Sequence, residues 1–286
     1  MIKFDYLEPA TLQEAFASIG EHGDDARVIA GGTSLLIMMR QRLLMPKVLI
    51  SLGNIPNFDR ITHDAKDGLR IGAGARHRDI EVSPVVKQHY PLLQETFRKV
   101  AQPRIRNMGT IGGNLSAGDP LTDPGASLIA LDAEVTLASA KGQRTLPVEE
   151  FFIDYYETAL QPGEIVTEIH VPPAQRTAWS HIKFTPRSVE DFATVGVALT
   201  LKTANGACQD VRLALNSVAS TILRAKRAEE VLRGQRLTDS TLRQAGEIAS
   251  TEVDPTDDNR GSAEYKREMV KVLVRRAAHE ALQRAS

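Results

Sequence analysis

The chain has 286 residues, 42% of them hydrophobic, with a formal net charge of -1 and a pI of about 6.7. That length can bury one large or two medium cores, and the balanced charge provides no field to hold nucleic acid or an anionic membrane. A single cysteine, Cys208, excludes an internal disulfide, a Cys-based zinc site and an iron–sulfur cluster held by this chain alone.

The segment from Met1 to Pro9 has no apolar signal core, and no run approaches the ~18 apolar residues of a membrane span, so a cytoplasmic protein is the default expectation. Thr11 to about Glu21 reads as a helix: Leu12, Ala15, Phe16 and Ile19 share one face, Thr11 caps the start, and Gly20 and Gly23 end it. Arg27 to Ala30 is a short strand running into Gly31-Gly32. A helix follows from Ser34, with Leu35, Met38, Met39 and Leu43 on its apolar side. Val48 to Leu52 reads as a buried strand, and Arg60–Thr62 with Leu69–Ala73 as a strand pair.

Arg78 to Val100 is mostly helical, interrupted at Pro84 and Pro91. A Gly-rich turn spans Gly109 to Gly118, Pro124 to Asp132 is a short helix, and Glu134–Leu137 and Ile165–Val171 are strands. A domain boundary falls in Pro172 to Thr177. Beyond it, His181–Phe184, Ala193–Leu201 and Val211–Val218 read as a three-stranded meander. Helices follow near Arg224–Leu232, Ser240–Ser250 and Ser262–Arg284. Strands followed by helices make this an α+β unit. On the last helix, Tyr265, Met269, Val272, Leu273 and Ala277 form the apolar side, beside basic Lys266, Arg267, Lys271, Arg275 and Arg276.

Two glycine turns carry the chemistry. Ala30-Gly31-Gly32-Thr33-Ser34 lies where a strand hands over to a helix. Glycine lets a backbone approach a ligand closely, the helix start offers free N–H groups, and two hydroxyls stand by. The bland alternative is a tight turn capped by Ser34. The segment is neither a Walker loop nor the spaced three-glycine dinucleotide fingerprint. The second turn, Asn107 to Leu115, contains Thr110-Ile111-Gly112-Gly113-Asn114, with Arg104 and Arg106 before it and Asp123 after it. A pyrophosphate accepts hydrogen bonds from such a loop and tolerates nearby Arg charges, whereas Asp123 suits ribose hydroxyls or a flavin-ring donor. Here the alternative is a structural turn with Asp123 as the N-cap of the next helix. Two such turns some eighty residues apart suit a dinucleotide clamped from both sides.

At these residues the chain resembles the FAD-binding medium subunit of the carbon monoxide dehydrogenase and xanthine dehydrogenase (molybdenum hydroxylase) family. The first turn resembles the family's Ala-Gly-Gly-x-Ser phosphate segment and the second its Thr-Ile-Gly-Gly-Asn/Asp segment. Ile71-Gly72-Ala73-Gly74-Ala75 resembles a Gly-Ala strand between them. Asp123, Val166 and Lys183 match flavin-contact positions. Arg187 with Asp191-Phe192-Ala193, and Arg260 to Tyr265, resemble the opening and the last helix start of the C-terminal domain.

The resemblance implies an α+β protein: a two-lobed PCMH-type FAD-binding domain over 1–175 and a smaller C-terminal domain of a three-stranded sheet plus helices over 176–286. It implies FAD, molybdopterin and [2Fe-2S] centres only in partner subunits, and a dimer of heterotrimers with an iron–sulfur small subunit and a molybdopterin large subunit. Electrons would leave the clusters through FAD to an external acceptor, with no acid, base or nucleophile assigned to this chain. Related flavoproteins attach FAD through a His in the first glycine loop. Thr33 stands in that neighbourhood, so attachment is expected to be non-covalent, and His77 is read as a surface or helix-start residue. With one cysteine, the chain departs from the 4-hydroxybenzoyl-CoA reductase branch, which carries an extra cluster in this subunit. The alternative reading is a stand-alone flavin oxidase or reductase with its own substrate pocket.

Overall fold

The computed structural model describes residues 3–285. The first lobe comprises β1 (Asp5–Leu7), α1 (Leu12–His22), β2 (Ala26–Ile29), α2 (Leu35–Arg40) and β3 (Val48–Ser51). Its strands form a parallel sheet in the order β1-β3-β2. Thr11 caps α1 by accepting from the Glu14 N–H at 3.1 Å. The helix runs through Gly20 and stops at Gly23, whose φ of +47° favours glycine. Leu43 lies beyond α2 and is 69% exposed, so it does not belong to that helix's buried side; Met39 does.

The second lobe opens with β4 (Ile61–Asp64) and β5 (Gly68–Gly72). Three helices start at or beside the expected breaks: α3 (His77–Val82), α4 (Pro84–His89) and α5 (Pro91–Arg98). Then come α6 (Pro103–Arg106), α7 (Ile111–Ser116) and α8 (Asp123–Ala130). Strands β6 (Glu134–Ser139), β7 (Gly142–Pro147), β8 (Phe152–Asp154), β9 (Glu157–Thr158) and β10 (Ile165–Val171) complete it. The main sheet is antiparallel in the order β4-β5-β10-β6-β7, while β8 and β9 make a separate hairpin. Strand β7 has Leu146 as its one aliphatic side chain, and β8 and β9 are only three and two residues long, so none of them stands out in the sequence.

The C-terminal unit has β11 (Ala178–Phe184), β12 (Val195–Ala204), β13 (Ala207–Asn216) and β14 (Leu223–Arg224). Helices α9 (Lys226–Leu232), α10 (Asp239–Ser250) and α11 (Ala263–Ala285) follow. The sheet is four-stranded, not three: β14 adds a two-residue rung to β13, too short to announce itself. Seven consecutive β12 residues, Val195 to Leu201, are buried because both faces of the sheet are covered. Val195, Val197, Leu199 and Leu201 pack with α10 and α11, while Ala198 joins the core shared with α8. The inner face of α11 is Lys266, Val270, Leu273, Val274, Ala277, Ala278 and Ala281. This stripe is rotated from the expected one: Tyr265 and Val272 are partly exposed, and Lys266 is buried against Asp258 at 3.0 Å. Among the described residues no helix is long and apolar enough to cross a membrane.

Candidate flavin-binding site

The first turn follows directly from β2. The Leu52 N–H donates to the Ile29 carbonyl at 2.9 Å and ties the end of β2 beside β3. Gly32 then takes φ +68°, which swings the chain into α2. The Gly32 carbonyl accepts from Leu36 at 3.1 Å, and the Ser34 carbonyl accepts from Ile37 at 3.1 Å. The donors point elsewhere: among the described residues the N–H groups of Gly31, Gly32, Thr33 and Ser34 donate to no protein acceptor. Ser34 holds the N-cap position, yet its hydroxyl makes no capping bond. A run of unengaged donors with two spare hydroxyls suits an anion better than a self-contained turn.

The second segment is differently built. It is a helix, α7, not an open turn, because its glycines sit against another strand. Thr110 caps it, accepting from Gly113 N–H at 3.2 Å. Ile111 N–H donates to Ala75 O and Gly112 N–H to Ala73 O, both at 2.9 Å. Asn114 N–H donates to Thr110 O at 2.9 Å. These donors are therefore engaged. What the segment offers is shape and one amide: Gly113 is exposed, and Asn114 Oδ1 is buried without a partner. A Cβ at Gly112 would lie 2.8 Å from the Ala73 carbonyl oxygen, so only glycine permits that approach. Ala73 is held in turn by Thr167 O, at the bulge between Val166 and Glu168 in β10.

The two turns meet. A Cβ on Gly31 would overlap the Met108 carbonyl oxygen and lie 2.8 Å from Gly109 Cα. This close approach has no signature in the sequence beyond the glycine itself. Beneath Gly109 lies His77, which is the first residue of α3 but is buried, not on the surface. Its ring tilts against Phe97 at 5.3 Å, and burial together with Arg106 lowers its pKa to about 4. Arg106 is turned inward and buried. It pairs with Glu81 at 2.9 Å and donates to Val100 O at 2.9 Å and Ala101 O at 2.7 Å. Arg104 remains exposed.

His181, on β11, is also buried, and desolvation plus Lys99 lowers its pKa to about 3. Both histidines are neutral when folded and protonate near pH 6.5 when unfolded. As pH falls below 6.5 the unfolded chain binds protons that the folded chain does not, so folding stability drops. The expected slope is up to roughly 1.4 kcal/mol per pH unit for each group. The loss runs from pH 6.5 down towards the folded values. Urea midpoints at pH 7 and pH 5 measure it, and equal midpoints would contradict it.

Asp123 is the first residue of α8, and Thr122 occupies the N-cap, so the capping alternative for Asp123 fails. Its carboxylate turns inward to Lys183, with Oδ2 2.8 Å from Nζ. Burial raises its pKa, opposed by Lys183, Lys99 and the Asn216 amide. Lys183 also donates to Lys99 O at 2.8 Å. Both side chains are almost fully buried at the seam between the second lobe and the C-terminal sheet. Val166 is buried in the core of the second lobe, so any contact from it to a ligand runs through its backbone. The described geometry thus brings Gly31 of the first turn against Met108–Gly109, packs Thr110–Asn114 beside Ala73–Ala75, and pairs Asp123 with Lys183. Asn216 and Gly196, which adjoin that pair, drew no notice in the sequence; a lone Asn at a strand end has no distinguishing pattern.

Residues 2–174 match the family described as the FAD binding domain in molybdopterin dehydrogenase. The chain belongs to the FAD-binding medium subunits of the carbon monoxide dehydrogenase and xanthine dehydrogenase family. Residues 180–281 match the carbon monoxide dehydrogenase flavoprotein C-terminal domain. The carbon monoxide dehydrogenase medium chain of Hydrogenophaga pseudoflava is 36% identical over 99% of both chains. The nicotine 6-hydroxylase medium subunit of Paenarthrobacter nicotinovorans is 36% identical over 96% of both. A solved carbon monoxide dehydrogenase from Hydrogenophaga pseudoflava, lacking the Mo-pyranopterin moiety of its cofactor, superposes with a TM-score of 0.96 at 38% identity over 99% of both chains. The chain is thus a subunit of an oxidoreductase, as the glycine turns implied.

Proposed function

We propose that this chain is the FAD-carrying electron exit of a molybdenum hydroxylase, built from an FAD-binding domain over 1–175 and a C-terminal domain over 176–286. The unengaged N–H groups of Gly31 to Ser34, beside the point where Gly31 rests on Met108 and Gly109, carry this reading. They and the Thr33 and Ser34 hydroxyls would hold the FAD diphosphate. Thr110, Ile111, Gly112, Gly113 and Asn114 would wall its other side. Asp123 and Lys183, with the Val166 backbone, would meet the rest of the dinucleotide. FAD, when bound, accepts electrons and passes them on singly or in pairs. The chain's own residues bind and orient it and exclude water. No proton transfer is assigned to them.

The partners are an iron–sulfur small subunit with [2Fe-2S] centres and a molybdopterin large subunit, assembled as a dimer of heterotrimers in the cytoplasm. The relatives' names specify different substrates, carbon monoxide and nicotine, at similar identity to this chain. That pattern fits a substrate pocket located in another subunit. Attachment of FAD is non-covalent, since the first turn has Thr33 and no His.

Co-expression with the neighbouring coding sequences tests the whole reading. Size-exclusion chromatography should recover the chain with two partners, with iron and molybdenum present, and acid precipitation should release all yellow colour to the supernatant. Recovery of this chain alone, reducing its flavin with substrate and containing neither metal, would instead establish a stand-alone flavoenzyme. Colour held in the acid pellet would refute non-covalent attachment.

A further inference from the structure

Strand β11 turns alternate side chains to opposite sides. Ala178, Ile182 and Phe184 pack into the core of the C-terminal unit, and Ser180 donates to Glu280 of α11 at 2.8 Å. Trp179, His181 and Lys183 therefore face the second lobe: Trp179 packs on that lobe's core, and Lys183 reaches Asp123. Helix α5 lies against this row. Lys99 of α5 donates to the His181 carbonyl at 2.9 Å, and Lys183 donates back to the Lys99 carbonyl at 2.8 Å.

The His181 ring is the weak point of this seam. It is buried, and neither ring nitrogen has a hydrogen-bond partner. A neutral imidazole has one donor and one acceptor, and both go unmet while the seam is closed; water meets both once it opens. Burial, then Lys99 of α5 and Lys183 of its own strand, disfavour a proton on the ring, and Glu95 of α5 alone favours one. In water an imidazole takes a proton at about pH 6.5, so below that an open seam binds a proton that the closed seam refuses. Two carboxylates stand in the same cluster. Against burial, Arg98 and Lys99 hold Glu95 below its usual range, so it stays charged between pH 7 and pH 5. Asp123 of α8 works the other way, because burial raises its carboxyl and acid then favours the closed seam through it. The far end of the seam is built differently. Arg176, in the segment joining the two units, and Arg212 of β13 each pair with both Asp132, just past α8, and Asp210 of β13. That closed ring of charges contains no histidine.

We propose that the seam between the second lobe and the C-terminal unit is an acid-operated joint: a proton taken up by His181 parts β11 from α5, while the Arg176 ring keeps the other end shut. Opening separates Lys183 from Lys99 and from Asp123, and exposes the face of Trp179 that packs on the second lobe. It precedes the unfolding of either unit, since the hydrogen bonds of β11 to β12 lie within the C-terminal sheet and stay intact.

Trp179 is the chain's single tryptophan and stands on the same face two residues from His181, so its emission reports on the seam. The test follows urea unfolding of the full-length chain at pH 7 and pH 5 by that emission and by circular dichroism. Proton uptake favours opening roughly twentyfold across the interval. At pH 5 the Trp179 transition should precede the loss of circular dichroism, and its midpoint should fall further from pH 7 to pH 5 than the circular-dichroism midpoint does. His181→Leu and His181→Gln cannot titrate and leave Asp123 and Glu95 in place, so they isolate the imidazole's share. In both, the Trp179 midpoint should fall no further than the circular-dichroism midpoint, which His77 still lowers. Coincident transitions in the parent at pH 5 would show that the seam never opens by itself and would overturn the inference. An undiminished fall of the Trp179 midpoint in both variants, or loss of the fold at pH 7 in both, would overturn it too. The FAD reading stands or falls separately, because no flavin enters the measurement.

Discussion

Gly31→Val should abolish retention of FAD through purification, with affinity lowered roughly a hundredfold or more. The effect begins at the contact between the turns. A side chain at Gly31 meets the backbone of Met108 and Gly109, which cannot swing aside as a flexible side chain would. The two turns must separate, and the donors of Gly31 to Ser34 move away from the wall opposite. Each hydrogen bond to a charged phosphate is worth about 1.5–3 kcal/mol, so losing two accounts for the expected factor. Gly32→Val should act similarly by another route. Its φ of +68° is a region that a β-branched residue rarely enters, and the new Cβ would lie 3.2 Å from Ile29 and Leu36 side-chain carbons. Circular dichroism should stay near the parental spectrum in both, while flavin content measured by absorbance falls to background. Full occupancy in either variant would move the diphosphate site elsewhere.

Arg106→Ala should produce the largest loss of stability. The guanidinium satisfies three groups at once: Glu81 and the carbonyls of Val100 and Ala101. Glu81 is buried, and its other partner, Arg78, is 46% exposed at the side chain. Ala101 adopts φ +41°, a conformation unfavourable to alanine that the Arg106 bond helps to hold. Removing one member of a buried pair costs about 3–5 kcal/mol. For a domain of this size that corresponds to a melting temperature lower by roughly 6–20 °C. Arg106→Lys should recover little, because an ammonium cannot reproduce the planar fork. Since α6 leads directly into Met108 and Gly109, flavin affinity should fall as well. A parental melting temperature in Arg106→Ala would show that the pair is dispensable.

Tertiary contacts redirect several polar groups that stand beside the glycine turns in the sequence. Arg106 resembles a phosphate ligand by position, yet Glu81, twenty-five residues earlier, draws it inward. His77 resembles a solvated helix start, yet Gly109 and Phe97 cover it. The glycines of α7 resemble an open phosphate loop, yet the carbonyls of Ala73 and Ala75 take its first N–H groups. In each case the partner is distant in sequence, and no local pattern names it.

The sequence carries most of the helices and longer strands, though not α6, α7 or β7, because apolar spacing, Thr11 as a cap, and Pro84 and Pro91 as breaks act within a few residues. It also determined the family, because two glycine segments in fixed order record where a backbone must approach closely. Which turn keeps its donors free, that Gly31 rests on Met108, and that Lys183 reaches Asp123 across the seam all depend on the packed fold. Those are long-range contacts. A donor is free or engaged according to which carbonyl the fold places beside it, and that depends on the packing of whole lobes, not on the residues next to it in the chain.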